Sequence, residues 1–294
     1  MAATAWTAAD LPDLSGRSAV VTGASGGLGA IIAGELARVG ARVVLAVRDT
    51  ARGHATAQTM TGHVEVRPLD LARLASVRAF AANWTGELDI LVNNAGIMQV
   101  PRGRTEDGFE LQMATNHLGP FALTVLLLPQ VRGRVVTVSS QLQSGGRIDL
   151  DDLNGDRRPY NALQAYRDSK LADTLFTLEL SRRLTAAASP VRAVTADPGF
   201  ARTGLAAHVG GPVGAVQKLA VRLFNDAARG ALPALYAATA DIPTGSYVAP
   251  DGFQHLRGHP RVIDPPRAAR DPDLARRLWQ LSARLTGTTV AANS

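Results

Sequence analysis

The chain has 294 residues, a net charge of +6 with a pI near 10.4, and no cysteine, which excludes disulfides, thiolate metal sites and a thiol nucleophile. Its basic residues are scattered, with no Lys/Arg run longer than two and only 5% aromatics, so a nucleic-acid partner is not indicated. No apolar run approaches the roughly 20 residues of a membrane span, and residues 1–16 lack a signal-peptide pattern, so the expectation is a soluble, cytoplasmic protein.

A predicted strand over residues 18–22 runs through Thr22-Gly-Ala-Ser-Gly-Gly-Leu-Gly29 into a helix over 28–39. In that turn Gly23 allows a tight bend, Gly27 lets backbone approach a pyrophosphate and Gly29 permits close helix packing, while the helix amides face the phosphates. The second strand, 42–47, ends in Ala46-Val47-Arg48 with no carboxylate to bind a ribose 2'-hydroxyl. Arg48, its role shared with or replaced by Arg52, suits a 2'-phosphate instead, which favours NADP(H) over NAD(H). A helix over 51–60, a strand over 64–68, a helix over 75–84 and a strand over 89–93 follow.

Next come a long helix over 106–128 and a strand over 134–138 that ends in Ser139-Ser140, two serines pointing to opposite sides of the sheet. A hydroxyl at a strand's carboxyl end can hydrogen-bond a developing alkoxide, and Ser140 is the choice. After a polar stretch, 141–161, a helix over 164–184 carries Tyr166-Arg-Asp-Ser-Lys170. Spacing by four puts both side chains on one face, where the ammonium favours the phenolate and makes the phenol usable as acid or base. A strand over 191–196 leads to Pro198-Gly199, then an apolar, Gly-rich stretch over 199–224, predicted as a substrate lid for a lipophilic substrate. A helix over 227–240, a strand over 246–249, a Pro-rich stretch over 259–267 and a helix over 271–285 complete the order.

Apolar strands without polar alternation, each followed by a helix, predict an α/β fold: a single Rossmann-type domain over 1–294. Its sheet is a doubly wound parallel one of about seven strands with helices on both faces, and its ligand crevice lies at the strands' carboxyl ends. Residues 1–14 form an N-terminal extension and 259–294 a C-terminal extension with a helix. The six histidines form no metal pattern; His255 and His259 share a spacing of four but lack a third ligand.

TGASGGLG, NNAG at 93–96, VSS and YxxxK, in this order, resemble the short-chain dehydrogenase/reductase family over about residues 14–286. TNHLGPFALT, DLNGDRRPY and AYRDSKLADTLFTLELSRRL are similar to its retinol-dehydrogenase-like branch and bacterial relatives. The resemblance implies Tyr166 as catalytic acid/base, Lys170 as the group that lowers its pKa and holds the nicotinamide ribose, Ser140 as the positioner of the carbonyl oxygen, and Asn116 as anchor of a water linking Lys170 to solvent. It also implies cofactor contacts at Gly23, Ser25, Gly27, Leu28, Gly29, Asp70, Leu71, Asn93, Ala95, Gly96, Pro198, Gly199 and Thr203, besides Arg48. Asn116 has a second reading as a backbone bridge, and Asp70 as a helix cap. Two features depart from the pattern: Ser140 and Tyr166 stand 26 positions apart, and Pro120 follows Gly119.

The expected function is NAD(P)(H)-dependent interconversion of a carbonyl and an alcohol in a small, lipophilic substrate. A non-enzymatic NADP(H)-binding redox sensor is the alternative. A sugar-nucleotide epimerase fits less well, because those enzymes resemble TGxxGxxG rather than TGxxxGxG. Homo-oligomers through the helices over 106–128 and 164–184 are what the resemblance implies for partners.

Overall fold

Residues 5–199 and 227–288 are described in the computed structural model of the chain. The predicted lid over 199–224 and Thr203 therefore lie, Gly199 apart, outside the described residues.

Strands β1 (Ser18–Thr22), β2 (Arg42–Val47), β3 (Val64–Pro68), β4 (Leu88–Asn93), β5 (Val131–Val138), β6 (Arg192–Ala196), β7 (Tyr247–Pro250) and β8 (Pro260–Ile263) form one sheet in the order β3-β2-β1-β4-β5-β6-β7-β8. All neighbours pair in parallel except β7 and β8. β1 is buried at every position, as an apolar strand covered on both faces must be. The order reverses direction between β1 and β4, the switch point at which open α/β sheets bind ligands.

Helices α1 (Gly27–Arg38), α2 (Thr50–Ala57), α3 (Leu74–Ala82), α4 (Leu111–Met113), α5 (Gly119–Leu127), α6 (Ala162–Ala186), α7 (Ala227–Thr239) and α8 (Pro272–Thr286) surround the sheet. Ile32 and Leu36 of α1 and Leu235 of α7 fill the core on one face. Phe80 of α3, Phe121 of α5 and Phe176 of α6 fill the other, so the sheet is doubly wound.

Two departures from the predicted elements have local causes. The sheet has an eighth strand, antiparallel, in the Pro-rich stretch; Pro260 opens it at the sheet edge, where a missing N–H is tolerated. The long helix expected over 106–128 begins only at Leu111: Gly108 turns with φ +85°, Arg104 and Glu110 bridge, and the Glu110 carboxylate caps Met113 N at 2.7 Å. A π turn, Ala114–Leu118, then joins α4 to α5.

The described parts of both extensions pack on the domain. In the N-terminal extension Trp6 meets Tyr236 edge-on at 5.2 Å. Trp279 of α8 packs on Phe121 and Phe176 with centroids 4.9 and 5.7 Å away. That part of α5 and α6, offered by the sequence reading to a second copy, is covered by the chain's own C-terminal helix.

Candidate active site

The glycine turn at the end of β1 combines positive-φ glycines with close backbone packing. Gly23 has φ +68° and packs so closely on the NNAG turn that a Cβ would stand 2.9 Å from Ala95 Cα and Cβ. At Gly29 a Cβ would fall 2.5 Å from Asn94 Nδ2, so close approach is what this glycine provides. Leu28 is buried beneath the turn, and Thr56 Oγ1 donates to the Ser25 carbonyl oxygen at 3.1 Å. Gly27, with φ +57°, is exposed, and no atom lies within 4 Å of where its Cβ would be. Gly26 caps α1 without any side-chain acceptor, so the first helical amides are open to an anion. These features fit a dinucleotide pyrophosphate.

Thr22 ties the neighbouring loop to this turn, a role the sequence reading did not assign. Its hydroxyl accepts from Asn94 N and Ala95 N, both at 3.0 Å, and its carbonyl oxygen accepts from Asn94 Nδ2 at 2.8 Å. Asn93 is a buried brace whose Nδ2 donates to Thr124 Oγ1 at 2.8 Å. Gly96 stands where a Cβ would be 3.6 Å from Lys170 Nζ, so the NNAG loop borders the Tyr/Lys pair.

Around the ribose side of the turn, Arg48 is exposed at the end of β2. Arg52, in the first turn of α2, lays its guanidinium on the glycine turn: a Cβ on Gly26 would meet Nη2 at 2.7 Å. Among the described residues neither guanidinium is ion-paired. Asp70 accepts from Ala72 N at 3.0 Å and so caps the turn before α3, whose own first amide, Leu74 N, is capped by Asp107 instead. Leu71 is buried in the core, leaving only its backbone for a ligand.

The Tyr166/Lys170 pair lies on α6. Tyr166 is 6% exposed and Lys170 4%, and both face the end of β5. The two serines there take separate duties. Ser139 is buried and donates to the Lys170 carbonyl oxygen at 2.9 Å, whereas Ser140 caps the following turn and stands near enough to the Tyr166 phenol to favour its ionised form. Burial pushes the phenol above its ordinary 10.0; the Lys170 charge and the Ser140 hydroxyl oppose this, while Asp197 and Asp173 add to it. The net direction is upward, opposite to the lowering expected from Lys170 alone, chiefly because the phenol is buried, with Asp197 and Asp173 adding to the effect.

Asn116 is 2% exposed in the π turn. Its amide clasps Ile97, accepting from N at 2.8 Å and donating to O at 2.9 Å, and also donates to Ser169 Oγ at 2.9 Å. The side chain is thus a backbone bridge, the second of its two readings. Pro120, four residues on, lacks the N–H that an α-helix would give to the Asn116 carbonyl oxygen.

Asp197 ends β6 with no exposure at all. It accepts from Tyr247 OH at 2.6 Å and Gly199 N at 2.9 Å, which fixes the Pro198-Gly199 turn; Gly199, with φ +64°, sits under the His255 and Leu256 carbonyl oxygens. Burial raises its carboxyl to about 6, against the hydrogen bonds from Tyr247 and Gly199. Its place directly before Pro-Gly was the only sequence signal for it. Among the described residues no group of His, Asp and Glu forms a metal site, and no helix is long and apolar enough to cross a membrane.

Comparison with known proteins agrees with this geometry. The profile of the family described as short chain dehydrogenase matches residues 17–211. Human "Retinol dehydrogenase 13" is 42% identical, over 93% of this chain and 86% of its own, and mouse "Polyprenol dehydrogenase" is also 42% identical, over 94% and 86%. A crystal structure of an uncharacterized protein from Mycobacterium paratuberculosis is 50% identical, covers 98% of this chain and 99% of its own, and superposes with a TM-score of 0.86. The "Pseudomonas aeruginosa RhlG/NADP active-site complex" is 26% identical over 83% of this chain and 98% of its own, with a TM-score of 0.66. With a family profile matching two thirds of its length and relatives of 42% identity covering most of both chains, the chain belongs to the short-chain dehydrogenase/reductase family, in the branch of the retinol dehydrogenases.

Proposed function

We propose that the protein interconverts an alcohol and a carbonyl by NAD(P)(H)-dependent hydride transfer on a lipophilic substrate, with NADP(H) preferred. The observation that carries this reading is the placement of Lys170, with Tyr166 and Ser140 near it, beside Gly96, on a loop held by Thr22 to the glycine turn.

The α1 amides and Gly27 would take the pyrophosphate, Arg48 and Arg52 a 2'-phosphate, and Asp70, the Leu71 backbone and the Asn93–Gly96 loop the adenosine half. Pro198, Gly199 and Thr203 would border the nicotinamide, which supplies the hydride or accepts it when bound. Tyr166 moves a proton at its phenol oxygen to or from the substrate oxygen, and Ser140 donates a hydrogen bond to that same atom. Lys170 favours the phenolate by its charge and holds the ribose. The Asn116 carbonyl oxygen, without its α-helical donor, is the group on that residue suited to anchor a water near Lys170.

Support for a lipophilic substrate comes from relatives named for retinol and polyprenol and from the apolar residues between 199 and 224, Leu205, Val209 and Phe224 among them. The test pairs thermal shift under NADPH and NADH with a panel of retinoid, polyprenol, steroid and aromatic alcohols and carbonyls, followed by nicotinamide absorbance. Tyr166→Phe is expected to bind nucleotide and lose turnover; wild-type rates in that variant overturn the reading. Tight binding with no turnover of any substrate would favour the redox sensor.

A further inference from the structure

The buried ammonium of Lys170 is held by a carboxylate one turn further along α6. Lys170 Nζ donates to Asp173 Oδ2 at 2.9 Å and to the Val138 carbonyl oxygen at 2.8 Å, and the two side chains are 5% and 2% exposed. Asp173 Oδ1 has no hydrogen-bond partner and lies 3.8 Å from His117 Nδ1, which has none either. On its far side, His117 Nε2 meets Ser282 Oγ of α8 at 2.9 Å. Four polar side chains thus lead from the cleft into the packing of Phe121, Phe176 and Trp279. An ammonium taken out of water without an anion gives up its proton.

Building on the assignment of Tyr166 and Lys170 as the reacting pair, we propose that Asp173 is a positioning residue for the reaction: the buried counter-ion that keeps the Lys170 ammonium charged and aimed at Tyr166, with His117, braced by Ser282, closing the far side of the carboxylate. Tyr166 on the same helix and Asp197 at the end of β6 are the other groups whose charge acts on this ammonium. Burial draws Lys170 down, and Asp173 is the first of the groups that drive it back above its ordinary 10.5. Without the carboxylate the first effect prevails.

The chain has only two lysines, Lys170 and Lys218, so protein labelled with 13C at the lysine ε-carbons gives two resonances, and Lys218→Arg leaves one. In the wild type that resonance is expected to titrate with a midpoint above the ordinary 10.5. In Asp173→Asn its midpoint should fall by about one pH unit or more, and the high-pH limit of turnover should move down with it; Asp173→Glu should restore both. A folded Asp173→Asn with an unmoved lysine midpoint overturns the proposal. So does a wild-type midpoint below 10.5, which can be read even if the variant fails to fold. The titration needs neither substrate nor nucleotide, so active Tyr166→Phe, which would end the assignment of the pair, leaves this readout standing on its own.

Discussion

Ser139 and Ser140, adjacent at the end of β5, serve different partners: Ser139 donates to the Lys170 carbonyl oxygen inside α6, and Ser140 caps the following turn and acts on the Tyr166 phenol. Ser139→Ala should therefore act on stability, removing a buried hydrogen bond and lowering it by about 1 kcal/mol, with turnover preserved. Ser140→Ala loses the cap of the following turn, a cost of about 1 kcal/mol, and should in addition lower kcat by about 100-fold, the scale of losing one transition-state donor. Because the Ser140 hydroxyl opposes the upward shift of Tyr166, its loss should also move the pH profile to higher pH. Melting curves and pH–rate profiles of the two variants check both; equal losses of kcat would contradict the division.

What the sequence could reveal follows from the range of the interactions. Strand periods, the glycine turn and the Tyr166/Lys170 spacing are local, and they appear as read. The π turn at 114–118 and the late start of α4 at Leu111 depend on contacts far along the chain, Asn116 to Ser169 and Glu110 to Asn154, and no short-range pattern announces them. β8 hid among prolines because it forms through pairing with β7, which its own short stretch does not announce. Asp173 and Asp197 look like ordinary polar residues until folding buries them beside Lys170 and the Pro198-Gly199 turn.

Asp197 should give the protein a measurable acid-range signature. Its folded pKa of about 6 lies above the ordinary 3.8, so the folded state binds this proton more tightly than the unfolded one. The contribution is fully present below the unfolded value and is lost as pH rises through about 6, amounting to about 3 kcal/mol in all. Asp197→Asn cannot accept from both Tyr247 and Gly199 and will start less stable. Its stability relative to wild type should nevertheless improve steadily from pH 4 to pH 7; a difference that stays flat over that range would mean the carboxyl titrates normally.

Gly23 and Gly27 should separate folding from nucleotide binding. An alanine at Gly23 would collide with Ala95, so Gly23→Ala should damage the fold itself. Gly27 faces open space with φ +57°, and Gly27→Ala should lose only about 1 kcal/mol, or about 2 °C in melting temperature. The added methyl stands where a pyrophosphate would approach, so the stabilisation by NADPH should disappear from Gly27→Ala. Retention of the full nucleotide-induced shift would place the phosphates elsewhere.

Trp279 stacks on Phe176, meets Phe121 edge-on and carries the Arg183 guanidinium 4.5 Å above its ring. Trp279→Ala should lower stability by about 3–5 kcal/mol, the range for emptying a buried aromatic site. The same loss should loosen Ser282 against His117, since both lie on the face that α8 presents to the domain. Chemical denaturation measures the first effect, and amide exchange along the π turn at 114–118 reads the second; unchanged exchange there would show that α8 stabilises the domain without bracing His117.

The choice between the two nicotinamide dinucleotides should reside in Arg52 more than in Arg48. Arg52 already lies on the glycine turn, its backbone N fixed by the Asp49 side chain at 2.9 Å, whereas Arg48 extends into solvent and must be ordered by the ligand. A preplaced guanidinium loses less freedom on meeting a phosphate, and a charge-assisted contact contributes about 1.5–3 kcal/mol. Arg52→Ala should therefore weaken NADPH binding about 10- to 100-fold while leaving NADH within about twofold, and Arg48→Ala should weaken NADPH less. Arg52→Lys should recover only part of the loss, because a lysine lacks the planar fork that matches a phosphate. Titration calorimetry with both nucleotides decides the matter: equal losses for NADPH and NADH in Arg52→Ala would assign this side chain to the shared pyrophosphate and remove the physical basis for a preference for NADP(H).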